Sequence, residues 1–229
     1  MSDIFQEVDE EVRRDKAVEF WTKYQNYILA AALLVVLATG GYRFWRYYQL
    51  QQAEAAGAQF QQALQLDSTG KLEEAQAALA NLQKTAPPGY ANLARFVDAA
   101  LTLKKDPKAG IAAYDALAND AKLDPLLRDT AKLRAALARI NDGQTEAAKS
   151  ALEPLAAAGV YRDTARLALA SLALAAKDYV AAGIRLEEVM SDAEAPQADR
   201  QTARTLIGLV ASQAPAPAQA SAPAPAAKP

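Results

Sequence analysis

The sequence predicts an all-α protein: a single N-terminal transmembrane helix followed by an α-solenoid of about four helix pairs plus a capping helix. Three observations predict it. The run from Tyr24 to Tyr42 carries no ionisable group except its tyrosines. The rest of the chain is rich in alanine and poor in Thr, Ile and Val clusters, which favours closely packed helices over strands. Helical units then recur with a period near 34 residues.

Residues 1–23 place acids early (Asp3, Glu7, Asp9, Glu10, Glu11) and bases later (Arg13, Arg14, Lys16, Lys23), an order that suits a helix dipole. Ile4, Val8 and Val12 would line one face of that short helix. It reads as a charged cytoplasmic segment ahead of the membrane, with docking to a partner as the sharper alternative.

The apolar run over residues 24–42 follows. At 1.5 Å per residue it reaches about 28 Å, close to the hydrocarbon thickness of a bilayer. Of the chain's sixteen aromatic residues ten fall within the first 48 positions, which is how interfacial belts distribute them. The expected membrane-interface anchors are Trp21, Tyr24 and Tyr27 before the run and Tyr42, Arg43 and Trp45 after it. Four bases precede the run, two follow it, and the next is Lys71, so the positive-inside rule puts the N-terminus in the cytoplasm. Two other readings compete. A cleaved signal peptide would use the core Ile28–Ala38 and cut at Ala38-Thr39-Gly40, but the acid-rich leader and the aromatic belt argue against it. A buried core helix would seldom be framed by aromatics at both ends. An uncleaved anchor is the reading that accounts for both flanks.

From Arg43 to Leu66 there is no proline and one glycine, so the helix should continue out of the span into the repeats. Arg128–Leu133 (RDTAKL) recurs as Arg162–Leu167 (RDTARL), and RQTART begins at Arg200. Second halves recur as well, with a small residue at Ala75, Gly110, Ala148 and Ala182 and a large one four later at Leu79, Tyr114, Leu152 and Leu186. First halves carry small pairs five apart: Ala58/Ala63, Ala94/Ala99, Ala131/Ala136, Ala165/Ala170 and Ala203/Gly208. Small residues let helices approach, and the large one fills the gap a turn away. A unit of about 34 residues with two helices has the tetratricopeptide period. Breaks are expected at Asp67–Gly70, Ala86–Gly89 and Asn141–Gly143, and capped starts at Asp106-Pro107 and Asp124-Pro125. Residues 43–211 should therefore be a tetratricopeptide-like repeat domain closed by a helix near Pro196–Ala211. Residues 212–229, with five prolines among alanines, should be an extended, disordered tail.

The charged N-terminus, the single span, the GYRFW exit at Gly41–Trp45 and the alanine-rich repeats resemble the ancillary SecYEG translocon subunit family of bacterial inner membranes. The resemblance covers residues 1–211 and is strongest at Gly41–Trp45, Ala58–Leu64, Tyr90–Ala100 and Asp163–Asp178. It implies an inner-membrane protein with a periplasmic repeat domain whose partners are the SecYEG translocon and periplasmic chaperones. The C-terminal tail departs from the family pattern.

Chemistry is harder to find. With no cysteine and no histidine, thiolate metal sites and the commonest general base are excluded. A net charge of -2 leaves no footprint for nucleic acid. The adjacent acids Glu73/Glu74 and Glu187/Glu188 point to different sides of their helices and read as solvated surface. Tyr90, Tyr114, Tyr161 and Tyr179 read as packing between helix pairs. No enzyme and no cofactor is expected; the partners are proteins and membrane lipid. Candidate partner-binding residues are Arg95, Arg128, Arg162 and Arg166 on the inner face of the first helices. The remaining alternative is a secreted, cleaved repeat adaptor for envelope or cell-wall assembly.

Overall fold

The computed structural model describes the backbone of residues 3–213 and the side chains of residues 21–213 other than 28 and 31. The expected tail from residue 214 onward and the Ile4/Val8/Val12 face lie outside these described residues. Among them there are nine helices and no strand. They are α1 (Asp3–Ser68), α2 (Leu72–Thr85), α3 (Pro88–Lys105), α4 (Pro107–Ala118), α5 (Pro125–Asn141), α6 (Thr145–Ala157), α7 (Arg162–Ala175), α8 (Tyr179–Ser191) and α9 (Gln197–Gln213). The chain divides into two compact units, Met1–Ala58 and Gln59–Pro229.

In the first unit the apolar run is helical throughout, and the helix continues without a break past Arg43, as its lack of proline predicts. Its large apolar side chains, Leu33 to Leu37 among them, are exposed, as are Trp21, Tyr27, Tyr42, Phe44, Trp45, Tyr47 and Tyr48. Thr39 satisfies its own hydroxyl by donating to the Val35 carbonyl at 2.7 Å. This is the one helix among the described residues that is long and apolar enough to cross a membrane.

In the second unit each helix from α2 to α9 packs on its neighbour in sequence, and α9 also reaches back to α7. The second-helix rule holds at all four sites: Ala75, Ala148, Ala182, Leu79, Leu152 and Leu186 are fully buried, and Gly110 and Tyr114 are buried with them. Leucines buried this completely contribute about 2 kcal/mol each relative to exposure.

The first-helix rule holds in the middle and fails at both ends. Ala94/Ala99, Ala131/Ala136 and Ala165/Ala170 are buried, while Ala58 and Gly208 are exposed. The reason lies in which way each member faces. Ala131 packs toward the preceding pair, beside Tyr114 and Leu117, whereas Ala136 packs toward its own second helix, beside Leu152. Ala165 and Ala170 divide in the same way. Gly208 faces where a further second helix would sit, and among the described residues α9 is the last helix. The cap is adapted to that: the places held in α7 by Leu167 and Leu174 are held in α9 by Thr205 and Ser212.

The turns inside the pairs have a shared construction. Gly70, Gly143 and Lys177 adopt positive φ after α1, α5 and α7. At each, two backbone N–H groups close on the last helical turn, as in Gly143 to Ile140 at 3.1 Å and Gln144 to Arg139 at 2.9 Å. These are Schellman closures. The α3–α4 turn differs. It is one residue shorter between small positions, and Asp106 ends one helix and caps the next, accepting from the N–H groups of Lys108 and Ala109 at 2.9 and 3.1 Å. Asp124 caps α5 through Leu126 at 2.8 Å. At Ala86–Gly89 the break falls on Ala86 and Pro87; Pro88 opens α3 and Gly89 lies in its first turn.

Candidate partner-binding surface

The candidate arginines come from two equivalent places on the first helices. Arg95 and Arg166 directly follow the small residues Ala94 and Ala165; Arg128 and Arg162 precede Ala131 and Ala165 by three. Three of the four hold the loop that ends their own helix pair. Arg95 pairs with Asp120 at 2.8 Å in the loop after α4. Arg162 pairs with Asp192 at 2.6 Å in the loop after α8, and Arg166 reaches the same carboxylate at 3.1 Å. Arg166 also meets Asp163 at 3.1 Å and Glu188 at 3.5 Å. Arg128 has no ion pair or hydrogen bond among the described residues, and its Nε is buried without a partner.

The two loop aspartates are built alike. Oδ1 of Asp120 accepts from the Lys122 N–H at 3.0 Å and that of Asp192 from the Glu194 N–H at 3.0 Å. These backbone bonds, helped by the arginines, hold both carboxyls below the ordinary aspartate range. Arg162 is raised above the ordinary arginine value: desolvation pulls it down, and the charges of Asp192 and Asp163 together with hydrogen bonds to Glu194 and Asp192 more than offset that. Asp163 is the buried charge among the described residues, and it faces α9, where burial first and the Asp163 charge second push Asp199 upward. Glu188 belongs to this network and is less solvated than an isolated surface acid, because Arg185 also reaches it at 3.3 Å.

Asp120 and Asp192 were missed by a reading of arginines alone. The signal was present: both stand ten residues beyond the small position of their second helix, Gly110 and Ala182. Three of the four tyrosines, Tyr90, Tyr114 and Tyr161, pack as expected, whereas the Tyr179 hydroxyl donates to Gln213 on α9 at 3.4 Å. Tyr90 lies 6.3 Å from Phe60 and Tyr114 6.3 Å from Phe96, both tilted, and Tyr161 shares a 2.8 Å hydrogen bond with Thr130. Burial pushes the Tyr114 hydroxyl up.

A cleft of about 370 Å³ opens between α4, α5 and α6. Lys132, Arg139, Asp115 and Asp129 supply its charges, and Pro154, Leu155 and Ala158 belong to its apolar wall. Arg139 is paired across it with Asp115, and Lys132 with Asp129 at 2.8 Å. Among the described residues no cluster of three or more acids is placed to hold a metal. The expected interface residues Trp21, Tyr24, Tyr27, Tyr42, Arg43 and Trp45 lie along α1 and are all exposed, with the Lys23 ammonium 5.7 Å from the centre of the Tyr24 ring.

A family model described as a tetratricopeptide repeat-like domain matches residues 18–159, a stretch that takes in the whole apolar run and the helices through α6. No curated protein matches the chain.

Proposed function

This chain belongs to the tetratricopeptide repeat-like domain family, and from that premise we propose that it is a membrane-anchored scaffold for protein–protein interaction whose repeat domain lies in the periplasm. The observation that carries the anchor is the exposed apolar stretch of α1 between rings of aromatic residues. Side chains such as Leu33 to Leu37 gain nothing in water and are suited to acyl chains. The excess of Lys and Arg before the run supports a cytoplasmic N-terminus. The resemblance of Gly41–Trp45 and the repeats to the ancillary SecYEG subunits makes the translocon and periplasmic chaperones the partners to test. Helix-pair solenoids present extended surfaces that suit polypeptide partners. Of the four arginines proposed to meet such partners, Arg128 is the one whose guanidinium is not engaged by its own loop.

Three measurements test the reading. Crosslinking followed by affinity purification of the anchored protein should enrich SecY, SecE and SecG; their absence above background rejects the translocon. Protease added to spheroplasts should digest the repeat domain, and full protection rejects the periplasmic side. Intact mass of the membrane-extracted chain should retain residues 1–42, whereas loss of about the first forty would replace the anchor with a secreted adaptor.

A further inference from the structure

The four helix pairs differ at one repeat-equivalent place. Ten residues beyond the small position of the second helix stand Thr85, Asp120, Ala158 and Asp192. The facing places on the first helix, one after and three before its first small residue, hold Gln59 and Ala55 in the first pair, Arg95 and Ala91 in the second, Lys132 and Arg128 in the third, and Arg166 and Arg162 in the fourth. Acid and base thus occur together in the second and fourth pairs and are both missing in the first. Only the third pair keeps its bases while its loop, Ala158-Gly159-Val160, brings no carboxylate.

The result is an arginine in an unfinished site. Arg162 occupies the same place as Arg128 and is closed by Asp192 at 2.6 Å. Arg128 stands half-buried at the start of α5, and its guanidinium makes no ion pair or hydrogen bond among the described residues; its Nε is buried without a hydrogen-bond partner, as are those of Arg162, Arg166 and Arg200. One turn on, Lys132 is held only by an exposed pair to Asp129 on its own helix, of the kind that is readily exchanged. Lys132 and Ala158 both border the cleft between α4, α5 and α6, so there is room beside Lys132, one turn from Arg128. Val160, 80% exposed, offers the site no polar side chain.

We propose that Arg128 and Lys132 bind a carboxylate of a partner polypeptide, in the place that Asp120 and Asp192 fill within the neighbouring pairs. A planar guanidinium suits a carboxylate, and charge-assisted hydrogen bonds are the strong ones. This rests on the scaffold reading and adds the chemistry that the partner presents.

The test uses full-length protein in detergent and an array of twelve-residue peptides of Ala, Ser and Leu. A single Glu walks through one set and a Gln through its match, both amidated; a third set carries Gln and a free C-terminal carboxylate. The Glu set should retain wild-type protein at least tenfold better than the Gln set. Retention by the third set alone also supports the site and assigns it to a chain terminus. Arg128→Gln and Ala158→Asp should each remove the preference, and Arg134→Gln on the same helix should leave it. Equal retention of Glu, Gln and free-acid peptides overturns the proposal, as does full binding by Ala158→Asp. A second readout needs no ligand. Ala158→Asp should raise the unfolding midpoint by about 2–4 °C, and Arg128→Gln should cancel that gain; a rise that survives Arg128→Gln places the new carboxylate elsewhere and overturns the geometry. Crosslinking to folded partners is read separately, so this site can fail while the scaffold stands.

Discussion

Gly110 shows how much a single side chain decides. A Cβ built there would overlap the Leu103 Cα and lie 2.6 Å from its amide nitrogen. Backbone cannot yield as a flexible side chain can, so Gly110→Ala should destabilise the repeat domain by about 1–3 kcal/mol in urea unfolding. Little change would mean that α3 and α4 do not approach this closely. The other second helices carry alanine at the same place because their turns are one residue longer, and both facts stand in the sequence: the small-to-small spacing is eleven from Ala99 to Gly110 and twelve in the other pairs. Lys177 presents the opposite case. It holds φ +59, where Gly70 and Gly143 stand in the equivalent turns. Lys177→Gly should therefore stabilise by about 1 kcal/mol, because the strain on a Cβ in the left-handed region outweighs glycine's extra freedom when unfolded. A loss of stability in the same unfolding assay would show that the Lys177 side chain holds something that its strain conceals.

At the scale of elements, the helices were legible and the loops that close on them were not. Periodicity placed every helix from the small and large positions, because burial on one face is a local pattern. It could not tell that Arg95, Arg162 and Arg166 meet the loops of their own pairs, since that depends on how Asp120 and Asp192 are turned back by their Asx bonds. The failure of the small-pair rule at Ala58 and Gly208 has a similar origin: residue type records what a position can accommodate, and neighbours decide whether it is covered. The loop aspartates give a pH signature. Their folded values are depressed below the unfolded value of about 3.9. Their contribution is thus complete above that pH and is lost as pH falls through the folded values. Asp120→Asn with Asp192→Asn should flatten the decline in stability below about pH 4 in thermal melts, and an unchanged slope would assign the acid lability to other carboxylates.

For the whole repeat unit, the decisive property is that each helix pair packs only on its neighbours. Stability in such a stack is a sum of pair and nearest-neighbour contributions, so damage at one end should stay there. α9 is the place to test this. Ala203 is fully buried against Ala170, Leu186, Val189 and Ala195, with Leu206, Ile207 and Val210 packed beside them, while the outward Thr205, Gly208 and Ser212 meet water. Removing everything after residue 195 would uncover that apolar cluster and leave α7 and α8 without their cap. Asp163 and Arg166 would be affected as well, because the buried carboxylate faces α9. Amide hydrogen exchange on the truncated protein should show protection falling by at least tenfold in α7 and α8 and changing little in α3 and α4. The intervening α5 and α6 should lose an intermediate amount, since α6 packs on α7. A uniform loss from α2 to α8 would mean that the unit unfolds as one cooperative body. A solenoid whose last pair can open alone could admit a partner there without dissolving the rest, and uniform loss would remove that possibility.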